Sequence, residues 1–98
     1  MRYEILLAPE AVRELRALPA SLRAQVRDAI ERHLRSEPTR VSKSRIKRLR
    51  GLRRPQYRLR IGEVRVFYDV TENAVEVLAI VTKEKAEEWL SEGGTSDP

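Results

Sequence analysis

The chain has 98 residues, 41% of them hydrophobic, which suits one domain and is too short for two. It contains no cysteine and a single histidine, so disulfides and thiolate metal sites are excluded and a histidine-based metal centre is not expected. No apolar run reaches the roughly 18 residues that span a bilayer, and Met1-Arg2-Tyr3-Glu4 does not read as a signal peptide. A cytoplasmic protein with no membrane contact is the expectation.

Arg2 to Leu7 alternates in the manner of a strand. Ala8-Pro9-Glu10 then opens a helix. Proline suits the first helical position, and Glu10 lies at the positive end of the helix dipole. Val12, Leu15 and Leu18 mark its buried side, and Pro19 ends it. A second helix is predicted over 20–36. Leu22, Val26, Ala29, Ile30, His33 and Leu34 recur at spacings of three and four and form one apolar stripe. His33 reads there as a histidine at the edge of the core. The tight Leu18-Pro19-Ala20 link makes the two helices a hairpin.

Residues 39–45 read as a basic loop, 46–50 as a short strand and 51–55 as a turn. Gln56 to Ile61 is a clear strand. Tyr57, Leu59 and Ile61 take one face, and Arg58 and Arg60 the other. Gly62-Glu63 suits a type II′ hairpin turn, which asks for glycine at its first central position. Val64, Val66, Tyr68 and Val70 continue the apolar face. Ala74 to Thr82 is nearly all apolar and reads as a strand covered on both sides. Lys83 to Leu90 is a last helix with Ala86, Trp89 and Leu90 as its stripe. Residues 91–98 read as a flexible tail behind a domain of residues 1–90. The order β-α-α-β-β-β-α defines an α+β fold, a small antiparallel-rich sheet packed on an N-terminal helical hairpin, with a short C-terminal helix.

The net charge of +5 conceals a division. Residues 21–60 hold fourteen bases against three acids, whereas residues 61–98 hold three bases against nine acids. From Arg40 to Arg60 there are ten bases and no acid, the footprint of a polyanion or of an acidic protein partner. The hairpin register sharpens this. A turn at residues 62 and 63 places Arg60 opposite Arg65 and Arg58 opposite Phe67. Like charges facing each other across a ladder cost stability. A phosphate chain would relieve that cost, since guanidinium forks match phosphate oxygens. Phe67 could then stack on a base, with Tyr57 or Tyr68 beside it. Arg45, Lys47, Arg48, Arg50, Arg53 and Arg54 favour a polyanion or partner contact beside this face. No glycine-rich phosphate loop, Ser-His-Asp set or HExxH motif is present.

The run Tyr57-Arg58-Leu59-Arg60-Ile61-Gly62-Glu63-Val64-Arg65-Val66-Phe67-Tyr68-Asp69-Val70, followed by Val75 to Ile80, resembles the RelE/ParE superfamily of bacterial toxins. Ala8-Pro9-Glu10-Ala11 and Leu18-Pro19 match the same pattern. The resemblance covers about residues 3–90 and fixes the order of elements. It implies the toxin of a type II toxin–antitoxin system, neutralised by a cognate antitoxin that wraps it with an acidic segment. RelE-like members cleave mRNA on the ribosome without a metal or other cofactor. In that chemistry the 2′-hydroxyl attacks the adjacent phosphate and positive side chains stabilise the charge that develops. By this likeness Arg58, Arg60 and Arg65 are the candidate catalytic residues, with Lys83 and Lys85 supplying charge, and the six bases from Arg45 to Arg54 become an RNA-binding surface. Such members usually carry an arginine and a tyrosine or histidine after the last strand, and residues 82–90 here contain neither. The likeness therefore also implies two alternatives: a ParE-like inhibitor of DNA gyrase, and a catalytically weakened homologue that mainly binds its antitoxin.

Overall fold

The computed structural model describes residues 2–96. Strand β1 (Glu4–Leu7) leads into α1 (Pro9–Ala17) and α2 (Ala20–Leu34). Pro9 is in the first turn of α1, and Ala11 and Leu15 bury its inner side. Leu18 leaves the helix in an extended conformation, and Pro19 starts α2. Helix α2 stops at Leu34, two residues before the predicted end, and buries Val26, Ala29, Ile30 and Leu34. The rest of the chain forms β2 (Ile46–Arg48), β3 (Leu52–Arg54), β4 (Tyr57–Ile61), β5 (Val64–Val70), β6 (Ala74–Thr82), α3 (Lys83–Gly93) and β7 (Thr95–Ser96).

Five strands form one sheet in the order β1-β6-β5-β4-β2. All neighbours are antiparallel except β1, which runs parallel to β6. The α+β class and the element order agree with the reading of the sequence. The predicted hairpin register is also found, with Ile61 opposite Val64, Arg60 opposite Arg65 and Arg58 opposite Phe67. Gly62 has φ 55° and Glu63 has no positive φ, the pair of values that a type II′ turn requires.

The helical hairpin packs on the sheet face made by Leu59, Ile61, Val64, Val66, Tyr68, Val75, Val77 and Ile80. Tyr57 and Tyr68 stack on this side with centroids 5.5 Å apart. The buried Tyr68 hydroxyl donates to the Pro38 carbonyl at 2.7 Å. Burial, and then Tyr57, raise its pKa. The two tyrosines thus belong to the core, not to the face that carries Arg58.

Two local features depart from expectation. Residues 51–55, read as a turn, contain β3, which pairs with β7 in a separate two-stranded sheet. Helix α3 continues to Gly93 instead of ending at Leu90. It covers the sheet face opposite the helical hairpin, because Phe67 and Ala79 make an apolar floor there for Trp89. Residues 97 and 98 of the predicted tail lie outside the described residues. Among the described residues no helix is long and apolar enough to cross a membrane.

Candidate nucleic-acid interface

Strand alternation places Arg58 and Arg60 of β4, Arg65 of β5 and Lys47 of β2 on one face of the sheet. Lys47 lies directly across from Arg58. Each of these side chains has a different local fate. Arg65 is 7% exposed, and its guanidinium donates to the Gly62 carbonyl at 2.7 Å and the Val64 carbonyl at 3.2 Å. It therefore braces the hairpin turn as well as charging the face. Arg60 is exposed. Arg58 is half-buried, and its Nε is buried without a hydrogen-bond partner among the described residues. Burial, then Arg65 and Arg60, lower its pKa. An orphaned guanidinium N–H costs about 1–3 kcal/mol. An anion in front of it would remove both that cost and the repulsion.

The wider basic set is only partly assembled. Arg54 is paired with the buried Asp69 at 2.7 Å and lies 3.8 Å from Glu76. Asp69 also accepts the Gln56 N–H at 2.8 Å, so Arg54 anchors β3 to the sheet. Arg48 lies on the other side of β2, over the Tyr57 ring at 5.1 Å, and donates to the Gln56 carbonyl at 3.0 Å. Arg50, between β2 and β3, and Arg53, within β3, are exposed and make no ion pair with a described residue. They line an open recess of about 520 Å³ with Arg48 and Gln56. Arg45 lies at the start of β2, its Nη1 3.5 Å from the Arg60 carbonyl.

Two expectations need correction. Phe67 is fully buried, and Trp89 stacks on it at 5.0 Å with an interplanar angle of 7°. Its ring is therefore not available to a base. Lys85 lines a recess with Glu14, Glu88 and Glu92, so its charge lies among acids and not among the arginines. Lys83 is nearer, since its N–H donates to the Glu63 carbonyl at 2.7 Å and starts α3 beside the hairpin tip.

The Arg54–Asp69–Gln56 cluster is not apparent from the sequence, where Arg54 counts only as one of the basic residues. The available signal was the position of Asp69 on the same face as Arg58 and Phe67. Among the described residues no group of three or more His, Cys, Asp or Glu side chains could hold a metal.

A sheet with a helical hairpin on one face, one helix on the other and a crowded arginine hairpin defines a small α+β protein with a basic sheet face. Comparison with known proteins places it further. The profile of the ParE toxin of type II toxin–antitoxin systems matches residues 5–86, so the chain belongs to the ParE toxin family, within the RelE/ParE superfamily. No curated protein matches the sequence. Among solved structures, the toxin–antitoxin complex RelBE2 of Mycobacterium tuberculosis contains a similar chain. Identity is 26% and the TM-score 0.69, over 84% of this chain and 99% of that one. The archaeal RelE–RelB complex of Pyrococcus horikoshii gives 26% identity and a TM-score of 0.64, over 85% and 97%. The RelB–RelE complex of Methanococcus jannaschii, at 20% identity and a TM-score of 0.67 over 86% and 96%, shares the fold.

Proposed function

We propose that this toxin acts by cleaving mRNA on the ribosome, with Arg58 and Arg60 holding the reacting phosphate. The observation that carries the reading is the orphaned, half-buried Arg58 among like charges. In the reaction the 2′-oxygen bonds to the adjacent phosphorus as the bond to the 5′-oxygen breaks. The 2′-proton passes to solvent, and the departing 5′-oxygen takes a proton from solvent. Arg58 and Arg60 stabilise the charge that builds on the phosphoryl oxygens. Arginine stays protonated, so its part is charge stabilisation and positioning, not proton transfer. Arg65 holds the hairpin that presents the other two, and Lys83 adds charge at the tip. No cofactor enters this scheme.

A cognate antitoxin is the proposed protein partner, as the similar chains occur in complexes with RelB-type antitoxins. An acidic antitoxin segment would suit the +11 charge of residues 21–60 and bind more weakly as salt rises.

A second reading is gyrase inhibition. It is favoured by the match to the ParE profile and by the lack of histidine or tyrosine beside Arg58 on that face, among the described residues. One experiment separates the two: induced expression without antitoxin, with mRNA 5′ ends mapped and plasmid supercoiling followed in parallel. RNA cleavage lost in the Arg58→Ala/Arg60→Ala variant supports the proposal. Supercoiling loss with intact mRNA would replace it with the gyrase reading.

A further inference from the structure

A second recess lies around the edge of β2 from the arginine face. It has a volume of about 320 Å³ and is lined by Arg32, His33, Arg40, Ser42 and Arg45, with Glu37 as its one acid. Arg32 is paired with Asp28 at 3.0 Å and Arg40 with Glu37 at 3.2 Å. Those two pairs are neutral overall. Arg45 makes no ion pair with a described residue and leaves a net positive charge. His33 makes no side-chain hydrogen bond to a described residue, and its pKa is lowered by burial and then by Arg45 and Arg32.

The loop that presents Arg45 is held in place. The Ser42 hydroxyl accepts the Arg45 N–H at 3.0 Å and the Ile46 N–H at 3.3 Å, and the Ser42 N–H donates to the Ile46 carbonyl at 2.9 Å. Arg45 also borders both regions. Its carbonyl accepts the Arg60 N–H at 2.8 Å while its side chain lines the recess.

We propose that this recess is a second phosphate subsite, which takes a further phosphodiester of the RNA strand bound at Arg58 and Arg60. The inference rests on the proposed RNA-binding role of the arginine face. A strand with an anion at every residue reaches both places by passing over Arg45. Arg45 and a neutral His33 are suited to the chemistry: one supplies a charged fork and the other a neutral N–H donor for a phosphate oxygen. An acidic peptide is the competing occupant.

The test uses the full-length protein and two 2′-O-methylated RNAs that cannot be cleaved, a dinucleotide and a hexanucleotide. Binding is followed by fluorescence anisotropy over a range of salt. The wild type should bind the hexanucleotide about tenfold more tightly, the gain from one added charge-assisted hydrogen bond. Arg45→Gln should bring that ratio close to one and reduce the slope of log K against log salt by about 0.7 for each phosphate no longer neutralised. The His33 ring signals should move with the hexanucleotide and not with the dinucleotide. Arg45 is exposed, so the variant should keep its circular dichroism spectrum. A ratio and slope that survive Arg45→Gln would overturn the subsite. Weakened binding of a poly-glutamate peptide with RNA binding intact would also overturn it. Dinucleotide binding that is insensitive to Arg58→Ala would instead remove the underlying reading of the arginine face.

Discussion

Replacing Arg58 by methionine should make the protein more stable and less able to bind a polyanion. The methionine keeps most of the aliphatic stem that packs in the sheet and removes the guanidinium. In the wild type, Arg58 Nε is buried without a partner among the described residues, and Arg60 and Arg65 both oppose its charge. An unpaired buried donor costs about 1–3 kcal/mol. Like charges across a ladder add a few tenths to about 1 kcal/mol. Part of the guanidinium remains hydrated, so the lower end applies and the net gain should be about 1–2 kcal/mol. For a domain of this size that raises Tm by roughly 5–15 °C. Urea denaturation at low and high salt measures it, and salt should narrow the difference by screening the repulsion in the wild type. Inorganic phosphate should stabilise the wild type and leave the variant unaffected. A variant less stable than wild type by about 1 kcal/mol or more would refute the reasoning, because Arg58 would then be held by favourable interactions worth as much as an ordinary hydrogen bond. Its lack of a partner would no longer mark a binding site.

Other variants probe the supports of the same face. Trp89→Ala removes the stack on Phe67 and uncovers a fully buried ring, so stability should fall by about 2–4 kcal/mol in urea titrations. Glu14 accepts the Ile80 N–H at 2.9 Å, and its pKa is raised chiefly by burial. Its contribution is therefore complete below the unfolded carboxyl pKa and declines as pH rises through the higher folded value. Glu14→Gln should flatten that decline as pH rises above the unfolded carboxyl value, whereas Glu14→Ala should cost about 1–2 kcal/mol by leaving the Ile80 N–H unpaired. Lys47→Glu puts a carboxylate directly across from Arg58. It should gain up to about 1 kcal/mol in stability and lower RNA affinity at least tenfold, read by denaturation and anisotropy.

Much of the hairpin was legible because its determinants are local. Gly62 supplies the positive φ that a two-residue turn needs, and alternation from that point assigns every side chain of β4 and β5 to a face. What was not legible depends on contacts distant in sequence. Parallel pairing of β1 with β6 requires the intervening chain to return, and four alternating residues do not say to which strand they return. Phe67 lies between Arg65 and Asp69 in sequence and so reads as part of a charged face. Only the placement of Trp89, more than twenty residues later, makes it core. Arg54 likewise reads as one of ten bases, and its pairing with Asp69 appears only when the folded chain brings its side chain to β5.

The charge count therefore overstates the site, and the arrangement of partners corrects it. Arg35 is paired with Glu31, Arg54 with Asp69, Arg48 with a tyrosine ring and a carbonyl, and Arg65 with the carbonyls of its own turn. Each of these arginines has a structural reason to be where it is. Arg58 has none: its two cross-strand neighbours are Lys47 and Phe67, and the buried acid on its face is committed to Arg54. Phe67 cannot become an acid without undoing the Trp89 stack that seats α3, but Lys47 is exposed and could become one at little structural cost. A fold shaped for stability alone would place an acid there. That a base occupies the one position where neutralisation is easy is the strongest argument that the charge on this face is kept for a ligand.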